Sequence, residues 1–236
     1  MGHPKGAHPG AHLNFDEAPF LVIWETTQAC DLACKHCRAE AQPNRNPGEL
    51  TTEEAKKLLD DVRRFGRIIF VFSGGDALKR PDIVELTEYG ANLGLRMAIT
   101  PATTPLATRE MLQQLKDAGM ARLAVSLDGS NPSIHDEFRQ VQGSFDHGLR
   151  ILKTAQEIGL STQVNTVIRK HNLEDVDALC ALMEQLARSP NGATATAMQR
   201  PGDGHDGGYR VLRKGWYRAG EGRERRGWLH IREPYG

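Results

Sequence analysis

Three of the chain's four cysteines, Cys30, Cys34 and Cys37, stand as C-x3-C-x2-C within "WETTQACDLACKHCRAE", residues 24–40. Thiolates are soft ligands that select iron–sulfur clusters, zinc or copper(I). Three readings fit the spacing. At i, i+4 and i+7 the residues would line one face of a helix as ordinary core cysteines, but Asp31, Lys35 and Arg38 surround them and large apolar residues are few. Zinc held by the three thiolates and His36 is the second, although His36 abuts Cys37 and structural zinc draws its ligands as two separated pairs. The third is a [4Fe–4S] cluster with three protein thiolates, whose remaining iron is open to an exogenous molecule. The fourth cysteine, Cys180 in "DALCALMEQLA", has apolar neighbours at helical spacing and reads as a buried core thiol.

The elements that must position this cluster alternate between two periods. "FLVIWET" (20–26) has the run of a buried strand. "LTTEEAKKLLDDVRRFG" (50–66) opens on a capping box, Thr51 or Thr52 with Glu54, and closes on Gly66. Strand "IIFVF" (68–72) follows, then helix 80–94 with proline in its first turn, strand 95–100 and helix 105–119. Strand "RLAVSLD" (122–128) precedes a loop and helix 144–159; strand 161–168 leads into helix 172–187. Five strand-then-helix units predict an α/β fold with a parallel sheet, because parallel neighbours need crossovers. Both an open doubly wound sheet and part of a β/α barrel satisfy this. No G-x-G-x-x-G opens the helix after the first strand, which weakens a nicotinamide-dependent oxidoreductase.

The rhythm stops after Ala187. Residues 188–236 hold ten glycines, and nine Arg plus one Lys against five acids give them +5 in a chain of formal net charge +0. No strand or helix period is visible there, so the segment reads as a disordered or frame-shifted tail. Residues 1–19, rich in Gly, Pro and His, read as a flexible lead-in, leaving 20–187 as the folded core. Balanced overall charge points to neither nucleic acid nor membrane as a partner. No apolar run approaches the roughly eighteen residues of a membrane span. Few, clustered cysteines suit a reducing, cytoplasmic compartment.

A strand ending in Glu25-Thr26, then the three cysteines, a capped helix, a strand and "FSGGDA" (72–77) together resemble the radical S-adenosylmethionine (SAM) superfamily. The resemblance runs from about Phe20 to Ala187 and is strongest to the branch with a C-terminal SPASM or twitch domain, which includes peptide maturases and haem-pathway enzymes. It implies a partial (β/α) barrel of five to six units with helices outside. It also implies a [4Fe–4S] cluster on Cys30, Cys34 and Cys37, with SAM on the fourth iron. The expected reaction is reductive cleavage of SAM to a 5′-deoxyadenosyl radical that modifies a peptide or cofactor precursor.

Several site residues follow from the resemblance alone. His36 takes the place of an aromatic residue near the adenine. Gly74, Gly75 and Asp76 match a Gly-Gly-Glu-Pro loop, with Asp76 for glutamate and Ala77 for proline. Thr100 ends the third strand, where Pro101 replaces an asparagine. Ser126 and Asp128 match the fourth strand end and point to the ribose or methionine end of SAM. Arg139 is the candidate for the SAM carboxylate, and Asn165 reaches the same ligand. A low-potential donor such as a ferredoxin or flavodoxin and a small-molecule or peptide substrate are the implied partners. No cysteine follows Cys180, so the auxiliary clusters of a SPASM domain have no ligands in this sequence. A catalytically inactive iron–sulfur or zinc module is the competing reading.

Overall fold

β-Branched and aromatic residues with alternating burial build the first two strands, β1 (Leu21–Glu25) and β2 (Ile69–Ser73). Between them lies α1 (Thr52–Arg63), and its capping box is present as the sequence predicts: Thr51 Oγ1 accepts from Glu54 N, and Glu54 accepts from Thr51 N at 2.9 Å. The computed structural model describes residues 17–35, 37 and 39–187, together with the backbone of four further strands given below. The order continues α2 (Ile83–Asn92), β3 (Arg96–Ile99), α3 (Arg109–Asp117), β4 (Arg122–Ser126), α4 (Pro132–Arg139), α5 (Ser144–Glu157), β5 (Thr162–Val167) and α6 (Val176–Ala187).

Strands β1 to β5 pair in parallel with each strand beside its predecessor. That order decides between the two architectures left open by the sequence. A doubly wound sheet reverses direction part-way and carries helices on both faces. Sequential right-handed crossovers put every helix on one face and curl the other inward, which is a partial β/α barrel. The helices form that single layer: α1 packs on α2, α2 on α3, and α3 on α5.

Alternate strand residues supply the core beneath them. Val22, Trp24, Phe70, Phe72, Met97, Ile99, Leu123, Val125 and Val164 are all buried against the helices. Trp24, Phe70 and Phe72 meet edge-on or tilted, with ring centroids 5.6–6.3 Å apart. Each such side chain contributes on the order of 1.5–3 kcal/mol by leaving water. On the opposite, inward face the strands end in polar residues: Glu25 pairs with Ser73, and Ser126 with Asn165.

Three expectations are corrected. First, the segment after β4 is not all loop. Asn131 Oδ1 accepts from Ile134 N at 3.2 Å and Pro132 occupies the first turn, so α4 forms there. Second, α6 begins at Val176 rather than at residue 172. Asn172 instead braces the preceding loop, accepting from Arg169 N and donating to the Asp128 and Val167 carbonyls at 2.7–2.9 Å. Third, strands do follow Ala187: β6 (Ala195–Gln199), β7 (Tyr209–Leu212), β8 (Gly215–Arg218) and β9 (Trp228–Arg232). β6 pairs in parallel with β5, β7 and β8 continue antiparallel, and β9 runs parallel to β1 on the other edge. "ATAMQ" has little intrinsic strand signal, and pairing with a formed edge makes it a strand. The remainder of 188–236 and the lead-in 1–16 lie outside the described residues.

Asp136 locks the turn between α4 and α5. Its carboxylate accepts from Gly143 N, Phe145 N and Ser144 Oγ at 2.7–2.9 Å. Burial pushes its pKa up, but these donors outweigh that and hold it below the ordinary aspartate value. A depressed carboxyl stabilises the fold above the unfolded-state pKa, about 4, and loses that contribution as pH falls through the folded value. Asp136→Asn is therefore expected to destabilise the protein by about 1–2 kcal/mol at pH 7. It should also flatten the acid limb of stability against pH, both measured by urea unfolding.

Candidate metal and cofactor site

The cysteine segment leaves β1 as an extended loop rather than a helix. Cys30 and Cys34 are half-buried and Cys37 is exposed. The helical, core-cysteine reading of these three thiols therefore fails. Cys180, on α6, is partly buried against the core as expected, with its thiol pushed up to about 12 by burial.

Backbone pairing holds the loop from two sides. Cys30 N donates to Gln42 O at 2.8 Å and Gln42 N to Gln28 O at 2.9 Å, which folds residues 39–42 back along the start of the loop. Gln28 Nε2 reaches Ala39 O at 3.0 Å. Beneath it, the buried Glu49 accepts from Thr27 Oγ1 at 2.5 Å and from Arg45 Nε at 2.6 Å, while the Thr27 hydroxyl accepts from Ala29 N at 3.0 Å. Lys79 ties Asp31 at 2.5 Å. Sequence reading missed Thr27, Gln28, Gln42 and Glu49, since single polar residues in loops carry no periodic signal.

The double-glycine loop after β2 forms the other side. Gly75 N donates to Thr27 O and Asp76 N to Ala29 O, both at 2.7 Å. Gly74 has φ +118°, and a Cβ there would meet Thr27 O at 2.4 Å; a Cβ on Gly75 would meet Ala29 O at 2.5 Å. The sequence suggests that these glycines admit a ligand to the backbone. Instead, the side that a Cβ would occupy is filled by the cysteine loop's own backbone. Asp76 is also turned inward. It is fully buried and accepts from Thr104 Oγ1 at 2.6 Å, Leu78 N at 3.1 Å and Ala102 N at 3.4 Å. Burial raises its pKa and these donors oppose the rise. Its observed work is to hold this loop to the end of β3.

Asp128 differs from expectation in the same way. Its side chain is fully buried, with Oδ1 accepting from Val167 N at 2.8 Å and Oδ2 in an ion pair with Arg139 at 2.5 Å. Arg139, the last residue of α4, also donates from Nη1 to Cys34 Sγ at 3.5 Å. Its Nε is buried without a hydrogen-bond partner among the described residues. Cys34, Arg139 and Asp128 thus form one connected group, with Lys35 N bonded to Phe138 O at 3.1 Å beside it. Ser126 and Asn165 are cross-strand neighbours on the inward face, where Asn165 Oδ1 accepts from Gln163 at 2.7 Å. Thr100 is held at the end of β3 by its N–H on Phe72 O at 2.8 Å. His36 lies outside the described residues.

Burial pushes the Cys30 thiol up to about 11, the other two thiols adding to the rise. It also raises that of Cys34, against the pull of Arg139. Among the described residues no three His, Cys, Asp or Glu side chains gather as ligands of a single ion. A four-iron cube meets each thiolate at a separate iron and does not need them to. Beside Lys35 a cavity of about 490 Å³ opens, with Phe138 and His171 stacked at 4.1 Å and Arg169 over Phe138 at 5.9 Å.

Comparison with known proteins identifies the arrangement. The family model "Radical SAM superfamily" matches residues 24–183. This chain belongs to the radical SAM superfamily. It is 41% identical over 194 residues to an AdoMet-dependent heme synthase of Oleidesulfovibrio alaskensis, covering 76% of this chain and 50% of that protein. A PqqA peptide cyclase of Bradyrhizobium diazoefficiens is 32% identical over 158 residues, covering 67% and 41%. In fold, the chain is similar to SuiB of Streptococcus suis bound to its precursor peptide SuiA, with TM-score 0.66 at 18% identity, covering 79% of this chain and 40% of that one. The chain thus spans about half the length of the curated relatives it matches.

Radical SAM membership implies a [4Fe–4S] cluster and SAM as cofactors, and the residues present fit both. Three soft thiols share one braced loop, and a buried guanidinium nitrogen beside them retains an unmatched donor. Gly75→Ala should force the cysteine loop away from β2, since the new methyl group would overlap two carbonyls. We expect reconstituted Gly75→Ala to hold less than half the wild-type iron and sulfide per chain, with circular dichroism largely retained. Cys180→Ala should load as wild type does.

Proposed function

We propose that the chain holds a [4Fe–4S] cluster on Cys30, Cys34 and Cys37, binds SAM beside it, and cleaves SAM reductively to modify a peptide or a cofactor precursor. The observation that carries this reading is the three-thiol loop clasped to the double-glycine loop, with Arg139 reaching Cys34. When bound, the cluster and SAM together supply one-electron cleavage to methionine and a 5′-deoxyadenosyl hydrogen abstractor; the protein orients and shields them.

The chain's own residues divide that work. The clasp between Gly75-Asp76 and Thr27-Ala29 sets where the thiols stand. Backbone carbonyls of the Gly74-Gly75 loop would accept from the SAM ammonium. Arg139, with Nε unmatched and its charge fixed by Asp128, would receive the carboxylate. Ser126, Asn165 and Thr100, at the carboxyl ends of neighbouring strands, would meet the ribose and methionine portions. His36 would lie against the adenine. The basic, aromatic-floored cavity at Phe138, His171 and Arg169 suits an anionic or aromatic group of the substrate.

Two relatives support a peptide or tetrapyrrole-type substrate, since their names specify haem synthesis and peptide cyclisation. A low-potential ferredoxin or flavodoxin would supply the electron, in the reducing cytoplasm that an open-cornered cluster requires. Among the described residues no helix is long and apolar enough to cross a membrane.

The test is anaerobic reconstitution with iron and sulfide, then SAM and dithionite, with 5′-deoxyadenosine measured by chromatography. Wild type should be brown and yield methionine and 5′-deoxyadenosine in equal amounts. Cys30→Ala, Cys34→Ala and Cys37→Ala should each lose the product at least a hundredfold. A colourless zinc protein, or a brown one whose electron paramagnetic resonance is unmoved by SAM, would instead establish the inactive metal-binding module.

A further inference from the structure

We propose that Arg139 acts on the cluster itself: its guanidinium donates an N–H to the thiolate of Cys34, Asp128 holds it there, and this contact raises the cluster's reduction potential. The inference rests on the reading that Cys34 ligates a cluster, and it adds a task distinct from receiving the SAM carboxylate.

The geometry gives each nitrogen of the guanidinium its own role. Nη1 lies 3.5 Å from Cys34 Sγ, within reach for a donor to sulfur. Nη2 is 2.5 Å from Asp128 Oδ2. Nε is buried with no hydrogen-bond partner among the described residues. Asp128 is itself immobilised: Val167 N donates to its Oδ1, its own N–H donates to His135 Nδ1 at 3.0 Å, and its carbonyl accepts from Asn172. The Lys35 N–H on Phe138 O bonds the cysteine loop to the residue before Arg139. The last turn of α4 and the cysteine loop are therefore joined by the Lys35 N–H on Phe138 O, by Lys35 Nζ on Glu137 at 2.9 Å and by Arg139 on Cys34, while Asp128 holds the guanidinium toward the sulfur.

Reduction adds negative charge that is shared by the cluster's sulfurs. A hydrogen bond to a ligating sulfur stabilises the reduced form more than the oxidised one, so the potential rises. Arginine suits this role because it stays protonated at any working pH and its fork can serve a carboxylate and a second acceptor together. A group that acted only on SAM would leave the SAM-free cluster unchanged, and that separates the two tasks.

The experiment compares reconstituted wild type, Arg139→Gln, Arg139→Lys and Asp128→Asn in redox titrations followed by electron paramagnetic resonance, without SAM. Protein grown on ¹⁵N-arginine supplies a second readout, the hyperfine coupling of guanidinium nitrogen to the reduced cluster. We expect the midpoint to fall in Arg139→Gln and to fall less in Arg139→Lys and Asp128→Asn, with the nitrogen coupling present in wild type and lost in Arg139→Gln. Should Arg139→Gln fail to retain a cluster, the Lys and Asn variants carry the same comparison. An unchanged midpoint with weakened SAM binding would overturn the proposal and leave Arg139 a SAM ligand alone. Failure of wild type to take up a four-iron cluster would overturn the cluster reading instead.

Discussion

Everything around the candidate site depends on two backbone loops lying closer than side chains would permit. Gly75 and Asp76 donate to the carbonyls of Thr27 and Ala29 at 2.7 Å, and at Gly74 and Gly75 those same carbonyls occupy the space of a Cβ. Such an approach places the end of β2 directly under the cysteine loop. The loop is irregular and satisfies only some of its own backbone groups; Ser73, Gly75, Asp76 and Gln42 supply partners for others, and Glu49 holds the Thr27 hydroxyl. Its rigidity therefore comes from neighbours, before any metal is bound.

A second constraint is the handling of buried charge. Asp76, Glu49, Asp128 and Arg80 are all buried, and each is matched. Arg80 forks onto Asp82 at 2.7–2.9 Å and lies over the Trp24 ring at 5.1 Å, joining the helical layer to the strand that feeds the cysteine loop. Removing one member of such a pair leaves an uncompensated charge in a poorly solvated place. The buried polar groups therefore gather where irregular backbone must be held in one shape. Among the buried side-chain atoms left without a hydrogen-bond partner by the described residues, the Nε of Arg139 is a donor beside the thiols.

Much of the fold was legible because its signals are local. The Thr51–Glu54 capping box and the alternating strands β1 and β2 were found where the sequence placed them. The helix at 132–139 carries a readable mark, an asparagine before a proline, within a run of turn-forming residues. β6 carried none, since alanine and threonine become a strand here by pairing with β5. At the site, residue types were legible and destinations were not. Asp76 and Asp128 stand at ligand positions by resemblance to the family alone, and both side chains turn inward to hold loops together.

The sequence by itself determined the chemistry available: three soft thiols within eight positions, a pair of glycines after the second strand, and a strand–helix alternation that only a parallel sheet can accommodate. These are properties of residue type and short spacing, and a chain carries them folded or unfolded. The tertiary structure alone decided that the strands pair in sequential order. It also decided that the glycines make room for the cysteine loop, and that Arg139 reaches Cys34 from 105 residues away. Contacts of that kind depend on which backbones meet and which buried charges must be matched, and neither is written in any local window of the chain.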